Sequence, residues 1–138
     1  MAYGDIPLRV SPPREIPHYH GDTVRALFVV GAVLLIVGEG MGAALPLPPI
    51  GAVVFAIILI LAAGITSPAQ AWIHWANAVL AAGSAALFGW SAVSWYRAGQ
   101  VLYDPTSFAF ALAIALTSLM ALYLATRTIR GMTLRTLS

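Results

Sequence analysis

The stretch TSPAQAWIHWANAV, residues 66–79, decides how this chain is read. It opens a long apolar segment, yet Gln70, His74 and Asn77 are interleaved in it with Trp72 and Trp75. On a helix turning 100° per residue, Gln70, Asn77, Ser84 and Ser91 recur every seventh position with His74, Ala81 and Phe88 between them. All seven then fall within an arc of about 100°. Trp72, Trp75 and Trp90 project from the other side. A polar, small-residue seam backed by an indole face is what a helix needs when one side meets protein and the other meets acyl chains and headgroups.

Composition agrees with that environment. Of 138 residues, 60% are hydrophobic and 9% charged, with a mean hydropathy of +0.87. Such a chain lacks the polar residues to cover a water-soluble core, which places it in the membrane class. All seven cations are Arg, and the net charge of +2 is too small and scattered for nucleic-acid binding. Without cysteine there is no disulfide, thiolate nucleophile or Cys-ligated metal. Arg without Lys hints at a GC-rich bacterial genome.

Working outward, four apolar segments appear, at about residues 24–45, 50–65, 68–96 and 106–128. The expected fold is an all-α, integral membrane four-helix bundle occupying 24–130, with a Pro-rich arm at 1–23 and a short tail at 131–138. The second segment has only sixteen residues, so it must thin the bilayer, borrow flanking residues or sit inside the bundle. The breaks carry their own chemistry. In LPLPPIG, residues 45–51, prolines end helix 1 and restart helix 2 in a tight turn. In GITSPAQ, Ser67 is expected as N-cap with Pro68 at the first helical position and Gln70 completing a capping box. In DPTS, Asp104 is the expected cap of helix 4.

Arg9, Arg14, Arg25, Arg127, Arg130 and Arg135 flank the outer ends of helices 1 and 4, while Arg97 alone lies between helices 3 and 4. By the positive-inside rule both termini are cytoplasmic. The polar arm before the first span is long for a signal peptide, so that span is expected to stay uncleaved. The expected location is a membrane, multi-pass, in a bacterial inner membrane.

Chemistry is sparse. A hydroxyl or amide facing acyl chains stays unsatisfied, so the seam of Gln70, His74, Asn77, Ser84 and Ser91 must meet another helix or a wet cavity. Helix–helix glue, worth ~0.6 to 2 kcal/mol per hydrogen bond, is the first reading and a water-lined path the second. In helix 1, Gly31, Gly38 and Gly42 share a face that would admit a close partner, with Gly38 and Gly42 as a G-x-x-x-G. Glu39 flanks it as the only carboxylate within an expected span, which makes it either a pathway group or a structural donor toward Ser84 or Ser91. His74 lies too far along the opposite half of the bilayer to pair with Glu39, and is at most a weak candidate for axial ligation of a cofactor. His18 and His20 lack a third metal ligand. No nucleotide-binding or hydrolase motif and no nucleophile–base pair is present. No catalytic residue, cofactor or metal is therefore expected. The expected partners are the lipid bilayer and either copies of this chain or other membrane subunits. The function expected is non-catalytic, an accessory subunit or a homo-oligomeric structural unit. The alternative is a small oligomeric channel or transporter using Glu39 and helix 3.

Overall fold

A computed structural model describes residues 20–67 and 69–137. These residues form four α-helices and no strand: α1 (Gly21–Gly40), α2 (Pro49–Ile65), α3 (Ala71–Arg97) and α4 (Pro105–Leu137), with a short 3-10 turn at Gln100–Leu102. Three of them, α1, α3 and α4, are long and apolar enough to cross a membrane, and α2 is a shorter apolar helix. At 17 residues, α2 rises about 26 Å, against about 50 Å for the 33 residues of α4. The helix starts and stops put His20, Thr66, Ser67, Ala69 and Gln70 at one end of the bundle, the terminal end. Residues 41–48 and 98–104 lie at the other, the loop end.

The elements end where backbone chemistry ends them. Gly42, with φ of 76°, takes the left-handed position after α1. Its N–H donates to the Glu39 carbonyl at 3.0 Å and the Ala43 N–H donates to the Gly38 carbonyl at 2.9 Å, which is a Schellman closure. Gly99, φ 72°, closes α3 in the same left-handed conformation. Pro48 is held extended ahead of Pro49, the first residue of α2. At its far end the Thr66 hydroxyl donates to the Ala62 carbonyl at 2.7 Å.

Two expected starts differ. Helix 3 begins at Ala71 with Gln70 in the cap position and no side-chain capping bond. Ser67 instead accepts from the Ala69 N–H at 3.3 Å in a local serine turn, so the hydroxyl is spent two residues on and the capping box does not form. Pro68 lies outside the described residues, as do the arm's prolines and His18. At the ends, α1 takes in residues 21–23 and α4 runs through 131–137, positions that hydropathy alone assigned to the arm and tail. Helical hydrogen bonding continues past the apolar boundary. Asp104, by contrast, does cap α4, accepting from the Ser107 N–H at 3.1 Å.

Around the bundle the neighbours run α2, α1, α4, α3, with the α3–α4 interface the most extensive and α2 meeting α3 only narrowly. Alanines dominate where α3 meets α4: Ala78, Ala81 and Ala92 on one helix, Ala111, Ala115, Ala121 and Ala125 on the other, all buried. Small side chains let backbones approach, and close packing is what holds helices together when the surroundings are as apolar as the core. Phe88, fully buried, fills the centre and stacks on Phe55 of α2 with ring centroids 6.4 Å apart.

Candidate functional site

The only concentration of chemistry among the described residues is the polar interior of α3 and the groups that meet it. His74, Asn77 and Ser84 are buried with Ala81 and Phe88, whereas Trp72, Trp75 and Trp90 are 59%, 61% and 75% exposed. Ser91 is half-buried, and Gln70, ahead of the helix, is exposed. The 3.6-residue period thus sorts the segment into an inner and an outer face.

Each level of the interior has its own partner. At the terminal end His74 hydrogen-bonds the Ser67 backbone. The Asn77 amide donates to the Thr66 hydroxyl at 2.9 Å, and that hydroxyl in turn donates to the Ala62 carbonyl. This short chain of donors joins α3 to the end of α2. The second Asn77 group, its carbonyl oxygen, is buried with no hydrogen-bond partner among the described residues. At mid-height the Ser84 and Ser118 hydroxyls lie 2.7 Å apart, bridging α3 and α4. At the loop end Ser107 accepts from the Ala44 N–H at 2.7 Å and donates to Asp104. At the opposite end of α4, Thr128 accepts from the His20 N–H at 3.0 Å.

Glu39 stands apart from this series. It is the penultimate residue of α1 and half-buried. Its neighbour Gly38 packs on Phe110, to whose ring a Cβ at that position would come within 3.3 Å. Ser118 lies eight residues deeper on α4, about 12 Å of rise from that level. His74 lies near the other end of the bundle. The fold therefore does not bring Glu39 together with Ser84, Asn77 or His74.

The glycine face of α1 is likewise divided. Gly31 meets Leu59 of α2, since a Cβ there would lie 3.5 Å from the leucine methyl, and Gly38 meets α4. Gly42 is outside the helix, where a Cβ would touch nothing. The G-x-x-x-G of Gly38 and Gly42 is thus not a helix-packing motif: its second glycine serves the backbone of the cap.

Beyond these pairs the described residues contain no group of three or more His, Asp or Glu side chains placed to hold a metal. Hollows open on the surface formed by the described residues, two of which have defined linings. One, of about 590 Å³, lies between α2 and α3 toward the terminal end and is walled by Ile58, Leu61, Ile65, Trp72 and Val79, with Asn77 at its edge. The other, of about 430 Å³, lies at the loop end beside Trp95, Gln100, Tyr103, Asp104 and Ala44.

Sequence reading missed the partners. Thr66 and Ser118 each complete a buried bond: Ser118 faces the seam once α3 and α4 are laid antiparallel, and Thr66 reaches Asn77 through the connection from α2 to α3. No family model matches the chain, and neither a curated protein nor a solved structure matches it.

Proposed function

We propose that this chain is a multi-pass membrane protein whose four helices all span, with both termini in the cytoplasm. It acts without catalysis, by helix–helix assembly, as an accessory subunit of a larger membrane complex or as a homo-oligomeric unit. One observation carries this reading: interior polar groups pair off at separate levels, Asn77 with Thr66, Ser84 with Ser118 and Ser107 with Ala44 and Asp104. Between these levels the buried side chains are apolar, among them Leu35, Ala81, Phe88 and Ile114. Polar groups used this way hold helices in register, whereas a conduction path needs a continuous polar lining. The short α2 is accommodated by local thinning of the bilayer or by its flanks at Pro48 and Thr66. Arg25, Arg127 and Arg130 favour the cytoplasm for the terminal end.

Two measurements test the proposal. The intact particle is purified in mild detergent and weighed, with copies of the chain or co-purifying membrane subunits expected and a monomer overturning assembly. Proton and cation flux is measured in liposomes for the native chain and Glu39→Gln, with no flux expected; a native flux abolished by Gln establishes the channel reading instead. Orientation is read separately in this cysteine-free chain. An impermeant maleimide applied to intact cells should label Gln100→Cys and not Ala69→Cys, and the reverse pattern overturns the assignment.

A further inference from the structure

The hollow at the loop end differs from the apolar hollow between α2 and α3. Its walls supply one indole, one phenol, one amide and one carboxylate, from Trp95, Tyr103, Gln100 and Asp104, and no cation. Trp95 differs from the other three tryptophans in being half-buried, where the others lie open. The Asp104 carboxylate is fixed rather than loose. Ser107 gives it both a backbone N–H and a hydroxyl, and the same hydroxyl holds Ala44 across the hollow. The Asp104 N–H is tied to the Gln100 carbonyl at 2.9 Å. Two loops are thereby clamped as one wall.

That carboxylate has acceptor capacity left over, because an ionised carboxyl offers about four lone-pair directions and Ser107 takes two. It forms no ion pair with any described residue. The hydrogen bonds from the Ser107 hydroxyl and then its N–H hold the carboxyl below its ordinary range, so it is charged at neutral pH. The loop end as a whole carries Glu39 and Asp104 against the single guanidinium of Arg97. A full negative charge there outweighs the partial positive charge of the α4 N-terminus, which alone would repel a cation.

We infer that this hollow binds an organic ammonium group, with Asp104 as the counter-charge, the half-buried Trp95 as an aromatic wall, Tyr103, 90% exposed, at the open rim, and Gln100 as a hydrogen-bond acceptor. A carboxylate beside electron-rich rings is the combination that recognises alkylammonium groups, and an inorganic cation would gain little from the rings. The group belongs either to a zwitterionic lipid headgroup or to a free amine. Recognition of the free amine does not depend on the chain lying in a membrane, so it stands or falls separately from the proposed function.

The test uses the full chain with Trp72, Trp75 and Trp90 replaced by Phe, leaving Trp95 as the sole indole, in phosphatidylglycerol nanodiscs. Tetramethylammonium chloride and ethanolamine are titrated against Trp95 fluorescence, with sodium chloride of equal ionic strength as control. A saturable change with both amines and none with sodium is expected. Asp104→Asn, which retains a capping oxygen, should weaken the apparent affinity by about tenfold, and Tyr103→Ala should weaken it by a smaller factor. Adding phosphatidylethanolamine to the nanodiscs then assigns the source: competition with the free amines marks the headgroup as ligand, and unchanged titration marks the free amine. The inference is overturned if neither amine gives a saturable change, or if both carboxylate and phenol variants titrate like the parent while their helix content is intact.

Discussion

The hydroxyl of Ser84 on α3 lies 2.7 Å from that of Ser118 on α4, and both side chains are buried. Either hydroxyl, deprived of the other, can turn to a carbonyl one turn back on its own helix. Single Ser→Ala changes are therefore expected to lower stability by ~1 kcal/mol or less, and the double variant by less than the sum of the two. Ser84→Leu should be far worse, since alanines bring the two backbones close on both sides of the pair. Unfolding in mixed detergent micelles measures all four, and a Ser84→Leu protein as stable as the parent would refute the packing at this level.

Thr66 has a larger expected effect than its place at the end of α2 suggests. Its hydroxyl is the described partner of the Asn77 amide, and the Asn77 carbonyl oxygen already lacks one. Thr66→Val keeps the shape and strands the amide in an apolar setting, with a loss of ~1 to 3 kcal/mol expected, whereas Thr66→Ser should stay near the parent. Thermal unfolding of the two variants side by side checks this; equal losses would mean that shape and not the hydrogen bond is what Thr66 supplies.

Gly40 and Gly42 form an internal control for backbone conformation. A Cβ at either position meets nothing within 4 Å, but only Gly42 has a positive φ. Gly42→Ala should lower stability by ~1 to 2 kcal/mol through the left-handed strain alone. Gly40→Ala, helical and unobstructed, should be neutral or stabilising by up to ~1 kcal/mol. Unfolding of each variant decides, and a neutral Gly42→Ala contradicts the Schellman closure of α1.

How far these features were legible beforehand depends on what each one requires. The inner and outer faces of α3 were legible because burial follows the helical period, and seven-residue spacing places His74, Asn77, Ser84 and Phe88 together whatever they pack against. Partners were not legible, because Ser84 meets Ser118 only through the antiparallel register of two helices, and Asn77 meets Thr66 only through the path of a five-residue connection. Ser67 and Gly42 failed for a shared reason. Serine before a proline, or glycine four residues after glycine, fits two local structures, and here the local hydrogen bonds select a serine turn and a helix stop.

Acid should weaken the loop end in a defined direction. The Asp104 carboxyl is held below its ordinary range by the Ser107 hydroxyl and N–H, so its contribution is present above the unfolded-state value and is lost as pH falls through the lower folded one. The native chain should therefore lose stability below about pH 4, and Asp104→Asn should lose less over the same interval. Because the group is exposed, salt should shrink the difference. Melting temperature across an acid pH series for both proteins checks the sign, and a steeper acid loss in Asp104→Asn would reverse it.

The narrow meeting of α2 with α3 has a mechanical consequence. Three of the four sides of the bundle are broad packed interfaces, and the fourth is a slender one that includes the Phe55–Phe88 ring stack and the Asn77–Thr66 bond. Breathing motions that separate α2 from α3 break fewer contacts than any other parting of neighbours, so this side is the hinge gap of an otherwise stiff cylinder.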